Sequence, residues 1–284
     1  MRREGWLPGP RTRVVALVGS PVRHSLSPRL HNAAFEALGL DWAYVAFEVP
    51  LGGGAAAVAA VRALGLAGLN VTMPHKADVA AAVDRLSPTA SALGAVNTVR
   101  WDRHEVVGDS TDGHGFLAAL RGDAGFDPAG RRALVLGAGG TARAVVHALA
   151  GAGAVRVVVA ARRPAPAAAA AALGGAVGRV GVPDEADRAD LVVNATPVGM
   201  AGVGVPDALP LDPGRLGPGQ LVVDLVYEPL VTPLVAAARA RGAAAVNGVG
   251  MLVHQAARSF ELWTGQPPPL EVMSGAALAE LAQR

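Results

Sequence analysis

The stretch Ala133-Leu134-Val135-Leu136-Gly137-Ala138-Gly139-Gly140-Thr141-Ala142 decides the architecture of this chain. Four apolar residues without polar alternation read as a strand buried on both faces. Glycines then end the strand, and an apolar-periodic helix covers residues 142–150. The pattern is G-x-G-x-x-A in its required setting, strand before and helix after. The glycines permit a tight turn and a close approach of backbone to a pyrophosphate, which rests on the helix N-terminus. A ligand-free βα turn shares the local pattern, but the setting favours a dinucleotide. An NAD site would place Asp or Glu roughly 20 residues further on, for the ribose hydroxyls. Here the next strand, residues 155–160, ends in Ala161-Arg162-Arg163. Missing acid and present guanidinium groups suit the 2′-phosphate of NADP.

Further strands follow at residues 191–194 and 221–224, and an Ala-rich helix at residues 166–173. Upstream, strands are predicted at residues 14–19, 43–49 and 68–73, and helices at residues 28–38 and 54–65. A further helix begins around Thr72 and Pro74. Strands alternating with helices argue for a parallel α/β layer. The order breaks at Gly108-Asp109-Ser110-Thr111-Asp112-Gly113-His114-Gly115, followed by a helix at residues 116–121. The last helix covers residues 250–263.

The chain has 284 residues, 51% hydrophobic and 17% charged, with a formal net charge of +2. Its mean hydropathy is +0.35. This composition describes a globular, enzyme-like protein with a generous core. No basic block is interleaved with aromatics, which make up only 4%, so nucleic acid is not an expected partner. Without cysteine there is no disulfide framework and no thiolate metal site. Residues 1–10 lack an apolar signal core, and no uninterrupted apolar run reaches about 20 residues. A cytoplasmic protein without membrane contact is expected.

Gly68-Leu69-Asn70-Val71-Thr72-Met73-Pro74-His75-Lys76 places a cation at the first turn of a helix. The partial positive charge there makes lysine a poor choice for stability. The same field makes it a readier proton donor or acceptor near neutral pH. Local rules are broken where function demands it. Ser25-Leu26-Ser27-Pro28 sets two hydroxyls on one side of an extended segment, able to donate to a carboxylate. Ser27 also reads as a helix N-cap, whereas Ser25 has no such structural excuse. Asn70 and Thr72 repeat the alternate arrangement, and Asn97 closes another apolar segment. All fall near strand ends, where open α/β sheets bind ligands.

These motifs resemble the shikimate dehydrogenase family, including its quinate/shikimate relatives, over nearly the whole chain. The elements occur in family order. They are Ser25-Leu26-Ser27-Pro28 with His31, the Asn70–Lys76 segment, Ala95-Val96-Asn97-Thr98, and Gly108–Gly113. The glycine turn, Asn194-Ala195-Thr196-Pro197-Val198-Gly199-Met200, Asp224-Leu225-Val226-Tyr227-Glu228-Pro229 and Gly248-Val249-Gly250-Met251-Leu252-Val253-His254-Gln255 complete the set. The resemblance implies an α/β fold of two lobes. One is a substrate domain of residues 1–112 to which residues 249–284 return, and the other a Rossmann-type NADP domain of residues 113–248. It implies reversible NADPH-dependent reduction of 3-dehydroshikimate to shikimate in aromatic amino acid biosynthesis.

By the same resemblance, Ser25 and Ser27 hold the substrate carboxylate with Tyr227 close to it. Asn70, Thr72, Asn97, Asp112 and Gln255 hold the ring hydroxyls, and Lys76 and Asp112 are the catalytic pair. Gly137, Ala138, Gly139, Gly140, Thr141, Ala161, Arg162 and Arg163 bind NADP(H). Asn194, Ala195, Thr196 and Met251 line its nicotinamide side, and Val226 and Gly248 belong to the same cofactor set. Hydride transfer of this kind needs no metal. The family pattern is departed from in three places: Ser110 replaces an Asn, Asn247 replaces an acid, and Ala161-Arg162-Arg163 stands for Asn-Arg-Thr, keeping only the arginine. Serine at both carboxylate positions favours shikimate over quinate. A quinate or aminoshikimate dehydrogenase shares almost every motif. A non-catalytic NADP-binding regulatory module is the alternative of another class, and a monomer or homodimer fits equally.

Overall fold

The computed structural model describes residues 7–205 and 207–284; the part of the N-terminal signal argument that rests on residues 1–6 lies outside them. Two compact units form, one from the chain up to residue 111 together with residues 253–284, the other from residues 112–252. Among the described residues no helix is long and apolar enough to cross a membrane.

The first unit runs β1 (Arg13–Gly19), α1 (Ser27–Ala37), β2 (Trp42–Glu48), α2 (Gly54–Ala63), β3 (Gly68–Val71), α3 (Lys76–Ala82), β4 (Arg85–Leu86), α4 (Pro88–Leu93), β5 (Thr98–Asp102) and β6 (Glu105–Asp109). Its sheet order is β2-β1-β3-β5-β6-β4. Strands β1, β2 and β3 are parallel, as alternation predicts. Strand β5 runs antiparallel to both β3 and β6, so the expected all-parallel layer is a mixed sheet. The cause is a hairpin without the usual glycine signal: Arg103 takes the left-handed conformation, φ 57°, in the turn between β5 and β6. Helix α3 begins at Lys76, with His75 at its N-cap; Thr72 and Pro74 precede the helix rather than open it.

The second unit contains α5 (Asp112–Gly122), β7 (Arg132–Leu136), α6 (Gly140–Gly151), β8 (Arg156–Ala160), α7 (Pro164–Ala172), β9 (Gly178–Val180), β10 (Leu191–Asn194), β11 (Leu221–Asp224), α8 (Pro233–Ala240) and β12 (Ala244–Val246). All its strands are parallel, in the order β12-β11-β10-β7-β8-β9. This is the doubly wound dinucleotide-binding order, with its switch point between β7 and β10. Apolar clusters cover both faces. Val135, Val145, Val157 and Val193 lie in one, Leu134, Val192, Val222 and Leu234 in the other. That burial on both sides is why these strands read as uninterrupted apolar runs.

Helix α9 (Val249–Thr264) spans the boundary at residue 252, and α10 (Leu270–Leu281) ends the chain. In the first unit, Phe260 of α9 packs on Phe35 with ring centroids 5.3 Å apart. Trp263 donates its indole N–H to the Val99 carbonyl at 2.9 Å. The indole crosses directly over Gly68, where a Cβ would fall inside contact distance of the ring. The same Cβ would lie 2.5 Å from the Val99 carbonyl oxygen, so Gly68→Ala should cost at least about 2 kcal/mol by overpacking, read as a lowered urea midpoint with unchanged slope; an unchanged midpoint would refute the close packing of β3 against β5 and the indole.

Candidate functional site

The antiparallel direction of β5 sets the geometry of the first unit's site. Asn70 pairs with Thr98 across β3 and β5, and Thr98 pairs with Asp109 across β5 and β6. Asn97 therefore opens β5 rather than closing a strand, yet it arrives at the sheet end where β3 stops. Thr72, Asn97 and Thr111 thus gather at one edge.

Buried side-chain hydrogen bonds join them. Asn70, buried, accepts the Tyr44 phenol at 2.8 Å on Oδ1. Its Nδ2 lies 3.1 Å from each of the Asn97 carbonyl, Thr98 Oγ1 and Ser259 Oγ. Thr98 donates to Asn97 Oδ1 at 2.9 Å, and the Thr111 amide donates to the same oxygen at 2.8 Å. Asn97 Nδ2 donates to Thr111 Oγ1 at 2.9 Å. Ser259 donates to the Gln255 carbonyl within α9 at 3.1 Å. Expected as a direct holder of ring hydroxyls, Asn70 has its amide occupied by protein partners on both ends.

The serine pair differs from expectation. Residues 23–24 form a turn and Leu26 is helical, φ −81°, ψ −15°, so the segment is not extended. Ser27 is the first residue of α1 and makes no side-chain cap. Ser25 does that work instead, its Oγ accepting the Ser27 amide at 3.2 Å. A hydroxyl two residues upstream reaches an orphan helix N–H that the helix's own first side chain cannot. Burial pushes the pKa of the Tyr44 phenol up, and the neighbouring Ser27 hydroxyl pulls it back.

Tyr44 stacks on His31, with centroids 4.4 Å apart and planes 5° from parallel. His31 is fully buried against Tyr44, Phe35 and Trp263, and neither ring nitrogen has a hydrogen-bond partner. Burial lowers its pKa to about 3.

Lys76 is held by its neighbours. The Lys76 carbonyl accepts the Val96 amide at 2.9 Å. Preceding it, His75 is buried, with Nε2 2.8 Å from the Val49 carbonyl and Nδ1 3.9 Å from Asp78. A carbonyl can only accept, so Nε2 carries the proton. Asp112 is buried and opens α5, immediately after Thr111. Gln255 lies half-buried in α9.

In the second unit, Gly137 ends β7 at φ 110°, where a Cβ would lie 2.9 Å from the Ala195 carbonyl oxygen. Gly139 is the N-cap of α6 and provides no side-chain cap; a Cβ there would meet nothing within 4 Å. Gly139 and Gly140 are exposed, with Ala138 and Thr141 half-buried beside them. An uncapped, open helix N-terminus with room over its second glycine fits a pyrophosphate. Arg162 and Arg163 are exposed after the half-buried Ala161, at the start of α7.

Asn194 ends β10, donating to Asp224 at 2.9 Å while its Oδ1 accepts the Thr196 amide and hydroxyl at 3.0 and 2.6 Å. Asp224 also accepts the Thr232 hydroxyl at 2.6 Å, and burial raises its pKa. This carboxylate orients the Asn194–Thr196 loop. The Gly248 amide bonds the Val226 carbonyl at 3.1 Å, and a Cβ on Gly248 would strike the Leu225 carbonyl. Asn247 accepts the Val249 amide at 3.1 Å, so this departure from the family's acid retains the cap of α9. Buried Met251 lines a cavity of about 210 Å³ with Phe116, Leu120 and Val246. Half-buried Tyr227 follows β11. Tyr44 and Ser259 fall outside every motif, because an isolated polar residue in an apolar element carries no spacing signal; His75, Thr98 and Asp224 stand inside motifs but without a role of their own.

His31 makes stability pH-dependent. In the unfolded chain a histidine binds its proton near pH 6.5, and in the fold only near 3, so the unfolded state holds more protons between them and stability falls on acidification. Between pH 6.5 and 4.5 the native chain should lose about 2–3 kcal/mol relative to His31→Phe, measured by denaturant titration; a pH-independent difference would refute the burial account.

The model for the shikimate dehydrogenase substrate binding domain matches residues 17–99, and that for the shikimate 5′-dehydrogenase C-terminal domain matches residues 248–278. A shikimate dehydrogenase (NADP(+)) of Moorella thermoacetica is 48% identical over 92% of this chain and 91% of its own length. The crystal structure of a shikimate dehydrogenase in complex with NADP+ superposes with a TM-score of 0.91, at 35% identity, covering 97% of this chain and 98% of that one. The Thermus thermophilus shikimate 5-dehydrogenase, in complex with NADP(H) and shikimate, gives a TM-score of 0.87 at 41% identity over 94% of this chain and 99% of that one. With such identity along nearly its whole length, and with the serine, lysine and glycine motifs in family order, the chain belongs to the shikimate dehydrogenase family.

Proposed function

We infer that this protein is an NADP-dependent shikimate dehydrogenase, an oxidoreductase that reversibly reduces 3-dehydroshikimate to shikimate in aromatic amino acid biosynthesis. The second unit, residues 112–252, serves NADP, and the first, up to residue 111 with residues 253–284, serves the substrate. One observation carries the chemistry. Of 25 basic residues, Lys76 is the only lysine. A chain that uses arginine for every other cation keeps lysine where a proton must move, because arginine cannot release one.

NADPH supplies the hydride when bound. Lys76 gives the proton to the carbonyl oxygen during reduction and takes it back during oxidation, while Asp112 positions it and the adjoining substrate hydroxyl. Ser25 and Ser27 donate to the substrate carboxylate, with Tyr227 beside it, and Thr72, Asn97 and Gln255 receive the ring hydroxyls with Asn70 behind them. Gly137, Ala138, Gly139, Gly140 and Thr141 accept the pyrophosphate, and Ala161, Arg162 and Arg163 the 2′-phosphate. Asn194, Ala195, Thr196 and Met251 line the nicotinamide side, and Val226 and Gly248 belong to the same cofactor set.

The direct test is NADP reduction with shikimate, with quinate and NAD in parallel. Fast turnover with shikimate and NADP supports the biosynthetic role. Preference for quinate or aminoshikimate would move the protein to a specialised relative, and tight NADPH binding without turnover would indicate a regulatory module. Lys76→Arg and Lys76→Ala should each lower kcat by at least about 100-fold with little change in shikimate KM; Lys76→Arg activity within a few-fold of the native enzyme would refute proton transfer. Arg162→Ala should raise the NADP KM about tenfold and leave NAD kinetics unchanged; an equal effect on both cofactors would remove the 2′-phosphate assignment.

A further inference from the structure

Tyr44 lies where the two substrate segments meet. Its phenol carries one proton, and Asn70 Oδ1 can only accept, so the phenol donates to Asn70. Directionality continues inward. Asn70 turns Nδ2 toward the Asn97 carbonyl, Thr98 and Ser259, an orientation on which the phenol donor and the carbonyl acceptor agree. Thr98 and the Thr111 amide both donate to Asn97 Oδ1, which leaves Asn97 to present Nδ2. Reversing either amide would bring donors against donors in a buried site, a cost that fixes the orientation. Below the phenol, the neutral His31 ring gives Tyr44 a flat face and no competing hydrogen bond.

We propose that Tyr44 is a positioning residue of the substrate site, its phenol holding the oxygen of the buried Asn70 amide so that the network beneath Asn97 is completed from the β2 side. The role rests on the shikimate reading and deepens it: through Asn70, Tyr44 supports the groups that receive the ring hydroxyls.

The test is Tyr44→Phe, which keeps the ring and its stack on His31 and removes one oxygen. Shikimate KM should rise about tenfold, while NADP KM and kcat at saturating shikimate stay within about threefold. Ser259→Ala removes the hydroxyl at the other end of the same amide and should give the same split. The double variant should cost less than the product of the two singles, since both act through Asn70. A shikimate KM within about twofold of native in Tyr44→Phe, multiplicative effects in the double variant, or a rise in both KM values alongside a lower thermal midpoint would each overturn the role. Failure of the native enzyme to oxidise shikimate would overturn the functional reading itself, a result distinct from an active enzyme indifferent to Tyr44.

Discussion

A buried amide side chain must satisfy its donors and acceptor inside the protein, because water cannot reach it. Asn70 is that constraint here. Its oxygen takes the Tyr44 phenol and its nitrogen faces β5 and α9, so β2, β3, β5 and α9 are tied at one point in the first unit. Such a junction is unforgiving: a half-satisfied network in a low dielectric costs more than an apolar core would. The sheet end above it is therefore rigid, and Thr72 and Asn97 stand on a fixed base.

The second unit solves a different problem by backbone means. Its β7 turn needs glycine at Gly137, where the chain passes against Ala195, and leaves Gly139 open above an uncapped helix. Here orphan N–H groups are kept unsatisfied by the protein, which suits an anion. Asp224 supports the neighbouring loop through Asn194, trading a costly buried carboxylate for a fixed loop geometry. Supporting side chains of this kind orient the groups that meet a ligand.

Legibility followed periodicity. The strands β10 and β11 were readable to the residue, since burial on both faces leaves uninterrupted apolar runs. The β5–β6 hairpin was not, because Arg103 adopts a conformation normally announced by Gly or Asn. Short α8 and three-residue β12 lie below the length at which a period registers. Ser25 and Ser27 were visible as a pair, yet their capping duties are exchanged, since cap geometry depends on where the first helical turn begins.

Sequence by itself determined the two α/β series, the glycine turn, the guanidinium pair after β8, the single lysine at a helix start and the family those motifs belong to. Each is a local pattern, decided by spacing along the chain and the chemistry of one or two residues. Tertiary structure alone decided that β5 runs backward, that Asn97 stands beside Asn70, that Ser259 reaches Thr98 and Asn70 from 161 and 189 residues away along the chain, and that His31 is sealed under Tyr44. Those outcomes depend on which distant groups share a buried space, and hydrogen-bond satisfaction there is a property of the folded whole.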